Sequence, residues 1–138
     1  YLFYGTLRQN LQFADYSADE RAIQAAALKA GLTPDIQNLP DGFDTRIKNQ
    51  NLTTFSSSFQ KRLSLARVFL RNSKLILLDE PESGLSSAEV SSSLDSLREI
   101  KGEATMIIAT HDPQWVAHLS SRVLRLERGR LPPNGSGA

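Results

Sequence analysis

Leu75-Ile76-Leu77-Leu78-Asp79-Glu80-Pro81 decides the fold: four aliphatic side chains run straight into two adjacent carboxylates. A short continuous apolar run with polar flanks fits a strand buried on both faces of a parallel sheet. Open α/β sheets keep their ligands at the carboxyl ends of strands, which is where Asp79 and Glu80 fall. Two neighbouring carboxylates at such an edge suit a Mg²⁺ ion plus a base for water, the chemistry of nucleotide hydrolysis.

Downstream, Thr105-Met106-Ile107-Ile108-Ala109-Thr110 is a second continuous apolar run, and it ends in His111. Between the two runs, Ser86-Ser87-Ala88-Glu89 is a capping box that opens a helix with Val90, Leu94, Leu97 and Ile100 on one stripe. The strands are thus one helical crossover apart, and right-handed crossovers place both carboxyl ends at the same sheet edge. A carboxylate pair and an imidazole then converge on one phosphate. Asp79 would hold Mg²⁺, directly or through water; Glu80 would orient and polarise the attacking water; His111 would contact the γ-phosphate as charge develops.

Upstream, Ser17-Ala18-Asp19-Glu20 reads as a capping box that opens a helix through Ala30, with Gly31 after its end. Thr33-Pro34 suits the N-cap and first position of a short helix, and Pro40-Asp41-Gly42 suits a turn. A polar stretch from Lys48 to Ser58 precedes a helix from about Ser58 to Asn72, where Leu63, Ala66, Arg67 and Leu70 recur at helical spacing. Arg62, Arg67 and Arg71 on that helix read as a solvated face with ion pairs. After His111, Asp112-Pro113 starts another helix as N-cap and first residue, with Trp115 as a core aromatic and His118 on the surface. Val123 to Leu131 suggests a closing hairpin at a sheet edge, and Pro132 to Ala138 a frayed end. Helices alternating with strands from Leu75 onward predict a parallel, doubly wound α/β arrangement, with a mostly helical subdomain before it.

Composition narrows the class. The 138 residues are 40% hydrophobic and 22% charged, which fits one globular domain with a real core. A formal net charge of +1 makes no case for a nucleic-acid partner by bulk electrostatics. No apolar stretch approaches the roughly 20 residues of a membrane span, and the start does not read as a signal peptide. The absence of cysteine excludes disulfides and thiolate metal sites. A first residue Tyr1 in place of Met suggests a chain cut from something longer.

Taken together, these residues resemble the ATP-binding cassette ATPases, specifically the latter part of their nucleotide-binding domain. Leu75–Glu80 resembles the Walker B strand with its catalytic Glu, Ser83-Gly84-Leu85-Ser86 the D-loop, and Ala109-Thr110-His111-Asp112 the H-loop. Leu2 to Leu11 is similar to the segment after the Q-loop in exporter-type members, and Leu39 to Thr45 to the stretch leading toward the X-loop. Gln60 to Arg67 resembles the helix after the signature motif, so Phe55-Ser56-Ser57-Ser58-Phe59 stands where the family reads Leu-Ser-Gly-Gly-Gln. The resemblance implies a partial P-loop NTPase core, RecA-like, carrying a parallel sheet plus an α-helical subdomain. Residues 1–72 would be the helical subdomain with a degenerate signature, 73–131 the core portion and 132–138 a disordered tail.

The same resemblance implies ATP and Mg²⁺ as ligands, with Asp79 on the metal and Glu80 and His111 as catalytic residues. Ser56, Ser57 and Ser58 would face a partner's ATP, and Ser83 and Ser86 would lie at the D-loop. It also implies a second nucleotide-binding domain, in a heterodimer or a homodimer, and a transmembrane domain that is fused or separate. The location implied is the cytoplasmic face of a membrane, a bacterial inner membrane being the expected one. Four departures qualify this. No Gly-x-x-x-x-Gly-Lys-Ser/Thr sequence occurs, so the phosphate-cradling P-loop is missing and the fragment alone is expected to be inactive. Ser57 and Ser58 replace glycines whose backbone N–H groups approach phosphate closely, and Ser86 stands where Asp is usual. The X-loop region reads Arg46-Ile47-Lys48-Asn49-Gln50-Asn51 without its usual acidic residues. Intact Glu80 and His111 beside an altered signature predict a dimer with one active and one degenerate site. Alternatives are a non-hydrolysing regulatory cassette, or a soluble member of the family acting on nucleic acid or ribosomes.

Overall fold

In a computed structural model, residues 2–48 and 55–131 are described in full and residues 136–137 for their main chain. Strand β1 (Gly5–Thr6) leads into α1 (Leu7–Gln12), which Thr6 and Gln9 close with a reciprocal capping box. Helix α2 (Glu20–Lys29) buries Ile23, Ala26 and Ala27 and ends before Gly31, whose φ of +67° is the left-handed turn after the C-cap. Its N-cap is Asp19, which accepts from the Ala22 N–H. Ser17 does not cap it, because its N–H and hydroxyl both bond Asp15. Helix α3 (Thr33–Gln37) starts one residue before the expected boundary: Leu32 holds the N-cap position and Thr33 lies inside. A 3₁₀ turn over Gly42–Asp44 then delivers β2 (Arg46–Ile47), antiparallel to β1. The rest of the X-loop stretch, Asn49 to Asn51, lies outside the described residues.

Helix α4 (Ser57–Arg71) is the longest, capped by Ser56 and stopped by Asn72 in the left-handed conformation at φ 48°. Strand β3 (Leu75–Asp79), helix α5 (Ser87–Glu99) and strand β4 (Thr105–Ala109) form the expected parallel unit. Its register runs from Leu75 opposite Thr105 to Asp79 opposite Ala109. Helix α6 (Pro113–Leu119) is capped by Asp112 as the sequence predicts. Strand β5 (Val123–Leu124) pairs with β6 (Ser136–Gly137), while Glu127 and Arg130 close a tight turn by a single bridge.

One apolar cluster joins both halves of the chain. Leu7, Ile23, Leu32 and Leu63 from the helical half pack with Val90, Leu97 and Trp115 from the strand-bearing half. Burying each such side chain contributes about 1.5–3 kcal/mol. Among the described residues the cluster is continuous from one half to the other.

Two further expectations are corrected. Strand β3 is not covered on both faces: Ile76 is buried, whereas Leu75 and Leu77 are 53% and 67% exposed. Ile107 of β4 is similarly open at 58%. The alternation arises because, among the described residues, the two-stranded sheet packs on the core through one face only. The arginines of α4 do not form a solvated face either. Arg62 is buried, its guanidinium donating to the Gly31 carbonyl (2.6 Å) and pairing with Asp35 (2.8 Å) and Glu89 (3.1 Å). Arg67 donates to the Asn10 main-chain oxygen (2.7 Å) and side-chain oxygen (3.0 Å), and its guanidinium lies 5.2 Å from the Phe3 ring centroid. The interior thus uses both cations to bind helix ends and loops across the core, which a sequence periodicity cannot distinguish from a wet face. Arg71 alone of the three is exposed.

Candidate active site

Parallel pairing of β3 and β4 puts their carboxyl ends side by side. The Glu80 N–H donates to the Ala109 carbonyl at 2.8 Å, which continues the ladder one step past Asp79. The chain then turns sharply, with Glu80 at φ +42°. A non-glycine residue in that region carries on the order of 1–3 kcal/mol of strain and is characteristic of functional turns. Ser83 N–H donates back to the Glu80 carbonyl at 3.0 Å to close the turn.

Asp79, Glu80 and His111 therefore share one open edge. His111 Nε2 lies 3.9 Å from Glu80 Oε1, with the imidazole 92% and the carboxylate 56% exposed. The imidazole and the Glu80 carboxylate thus approach each other at this edge, facing solvent. Among the described residues no group of three or more His, Asp or Glu side chains could hold a metal unaided. Mg²⁺ in phosphoryl-transfer sites is held by one or two carboxylates plus substrate phosphates and waters. The exposed Asp79 carboxylate at the strand end fits that requirement.

Two contacts at this edge are not visible in the sequence pattern. Lys61, one turn into α4, donates Nζ to the carbonyls of Glu80 (2.8 Å) and Asp79 (3.3 Å), so it braces the turn from beneath. Glu82 reaches across to the other loop: its Oε1 accepts from the Thr110 hydroxyl (2.7 Å) and from the His111 N–H (3.2 Å). Its other oxygen, Oε2, is buried with no partner among the described groups, a burden of about 1–3 kcal/mol. Burial pushes the Glu82 carboxyl up, but bonds from Thr110 and from the N–H groups of Glu82, His111 and Asp112 outweigh it and hold the pKa below the usual value. An acid in a turn reads as solvated, and only the polar Thr110 before His111 hinted at a partner.

The signature region sits beside this edge, and its hydroxyls are engaged locally. Ser56 Oγ accepts from the Phe59 N–H at 3.1 Å as the cap of α4. Ser58 donates to Glu89 Oε1 at 2.5 Å, and Arg62 Nε reaches Ser58 Oγ at 3.3 Å. Ser57 is exposed and lies against the D-loop: a Cβ built on Gly84, at φ +80°, would be 3.1 Å from Ser57 Oγ. Phe59 turns inward and packs on Phe55, their ring centroids 5.0 Å apart. In the D-loop, Ser83 is exposed, while Ser86 caps α5 in a capping box with Glu89. Glu89 thus collects the Ser58 hydroxyl, the Ser86 N–H and the Arg62 guanidinium on one carboxylate. The Ser58 bond is the main reason its pKa is held down to about 2, with the Ser86 N–H next.

A cleft of about 240 Å³ opens between α4 and β3, below Asp79. Leu65, Val68, Leu77 and Trp115 line much of it. Lys61, Arg62 and Asp79 complete its rim.

A crossover-linked pair of parallel strands, with acids ending one strand and an imidazole following the other, defines part of a P-loop NTPase core. The sequence profile of the ABC transporter family matches residues 4–83, and the chain belongs to that family. It is 34% identical over 131 residues to a probable ABC transporter ATP-binding/permease protein of Haemophilus influenzae, covering 95% of this chain and 23% of that protein. Against a mycobactin import ATP-binding/permease protein of Mycolicibacterium thermoresistibile it is 33% identical over 136 residues, covering 99% of this chain and 23% of the relative. Its fold superimposes on a bacterial Atm1-family ABC exporter with ATP bound, at a TM-score of 0.84 and 28% identity. That match covers 94% of this chain and 22% of the exporter. The chain thus corresponds to part of an exporter-type ATP-binding domain and spans under a quarter of these proteins' length. Among the described residues no helix is long and apolar enough to cross a membrane.

Proposed function

We propose that this chain is the signature- and Walker B-bearing portion of a cassette that hydrolyses ATP to drive transport across a membrane. In this reading Asp79 anchors the Mg²⁺ of Mg-ATP and Glu80 polarises the water that attacks the γ-phosphorus. His111 donates to a γ-phosphate oxygen as charge accumulates there. Bound with ATP, Mg²⁺ would spread the negative charge of the transferring phosphoryl group. The observation that carries the reading is the 3.9 Å approach of His111 Nε2 to Glu80 Oε1 at the end of the parallel strand pair. It lets both groups reach one phosphate and its attacking water.

The P-loop comes from a segment outside this sequence, so the chain by itself binds ATP at millimolar affinity or weaker. A membrane domain and a second nucleotide-binding domain complete the protein, at the cytoplasmic face of a membrane. The site built on Glu80 hydrolyses with a sound signature supplied by the partner. The site completed by Ser56, Ser57 and Ser58 is the weak one, because two of those hydroxyls are already bonded and Ser57 replaces a glycine. The test is phosphate release by the complete protein. Glu80→Gln is expected to lower it at least about 100-fold, the lower range for losing a general base. Ser57→Ala is expected to leave it within about two-fold, because the site that Ser57 completes is the weak one and a single exposed side chain changes little there. Equal, large losses from both would reject the asymmetry, and unchanged release in Glu80→Gln would favour a non-hydrolysing cassette.

A further inference from the structure

The acid two residues beyond Glu80 has no part in the scheme above, yet its side chain hydrogen-bonds across to the loop that carries His111. Glu82 Oε1 holds the Thr110 hydroxyl at 2.7 Å and the His111 N–H at 3.2 Å. Thr110 Oγ1 in turn accepts from the Asp112 N–H at 3.0 Å, and Asp112 caps α6 by accepting from the Gln114 N–H at 2.8 Å. On the near side, Glu80 N–H is fixed to the Ala109 carbonyl at 2.8 Å. The main chain on both sides of His111 is therefore tied to the Glu80–Glu82 turn. The ring itself is 92% exposed, with no core contact to steady it. Its main chain is thus what sets where the imidazole can reach, and Glu82 fixes that main chain.

We propose that Glu82 is a positioning residue that holds the His111 loop against the Glu80 turn, so that imidazole and carboxylate face the same phosphate. An acceptor is needed at this point, because it must satisfy one hydroxyl and one main-chain N–H that would otherwise be left without a partner. A carboxylate suits the place because it accepts without donating, and charged acceptors hold such donors more firmly than neutral ones.

This inference rests on the reading of His111 as a phosphate contact, and the experiment separates the two. In the complete protein, Glu82→Ala is expected to lower kcat roughly 10- to 100-fold, as displacement of a catalytic group by about an ångström does. KM for ATP should stay within about two-fold, since Glu82 touches no nucleotide in the proposed site. Glu82→Gln keeps an oxygen acceptor at the same reach and should recover most of the rate. His111→Ala should lower kcat at least about 100-fold. Adding Glu82→Ala to His111→Ala should then cost little more, because the two act as a unit. Should Glu82→Ala fail to accumulate as folded protein, Thr110→Val breaks the same bridge from the other side and should show the same kcat loss. Wild-type kcat in Glu82→Ala, or losses that multiply in the double variant, would overturn the positioning role. Wild-type turnover in His111→Ala would instead overturn the site reading on which it rests.

Discussion

Replacing Glu89 with Gln tests a carboxylate that three separate groups hold at once. Glu89 accepts from Ser58 at 2.5 Å and from the Ser86 N–H at 2.7 Å, and it pairs with Arg62 at 3.1 Å. These bonds, the Ser58 hydroxyl foremost, lower its pKa from 4.5 to about 2. A depression of that size corresponds to about 3.4 kcal/mol at roughly 1.36 kcal/mol per unit. The side chain is 26% exposed, and solvent screening reduces the contribution to about 2 kcal/mol. The sign follows from linkage: the folded state prefers the ionised form, so the stabilisation is full above the unfolded value of 4.5 and fades as pH falls toward 2. By pH 3 well over half of it is gone. Urea unfolding of the complete nucleotide-binding domain should place Glu89→Gln about 2 kcal/mol below the parent at pH 7. That gap should narrow steadily between pH 4.5 and pH 3. Equal midpoints at pH 7, or a gap that does not change across the acid range, would refute the reasoning.

Two other substitutions probe packing and backbone. Leu63 is fully buried in the cluster that joins the two halves of the chain, so Leu63→Ala should cost about 3 kcal/mol by urea unfolding. A loss under about 1 kcal/mol would mean the site collapses freely. Gly84 adopts φ +80° against Ser57, and Gly84→Ala should cost about 1–2 kcal/mol, mostly from backbone strain. Adding Ser57→Ala removes the steric contact but not the strain, so the double variant should regain less than half of the loss in the same titration. Full recovery would place the whole effect in the side-chain contact.

How much of this was legible in the sequence depended on the range of the interaction. Strand β3, helix α5 and strand β4 were readable because apolar runs and a capping box are local patterns, and their parallel pairing followed from the crossover. The approach of His111 to Glu80 was readable for the same reason. The cap of α2 was misread because Ser17 and Asp19 both suit an N-cap, and only the bonds from Ser17 to Asp15 decide between them. The roles of Arg62 and Arg67 were hidden because their partners, Asp35 and Asn10, lie 27 and 57 residues away. Glu82 escaped notice on similar grounds, and Glu89 was legible only as a capping-box acid, since their partners Thr110 and Ser58 are 28 and 31 residues distant. The open faces of Leu77 and Ile107 could not be foreseen, because an apolar run does not say whether both its faces are covered.

A structure of the complete protein with a bound, non-hydrolysed ATP analogue and Mg²⁺ tests the central claim most directly. It should place His111 Nε2 within about 3.2 Å of a γ-phosphate oxygen, as a hydrogen bond requires, with Asp79 on the metal or on one of its waters. Glu80 should face the γ-phosphorus from the side opposite the leaving oxygen. An imidazole more than about 6 Å from that phosphate, beyond the reach of one bridging water, would contradict the account.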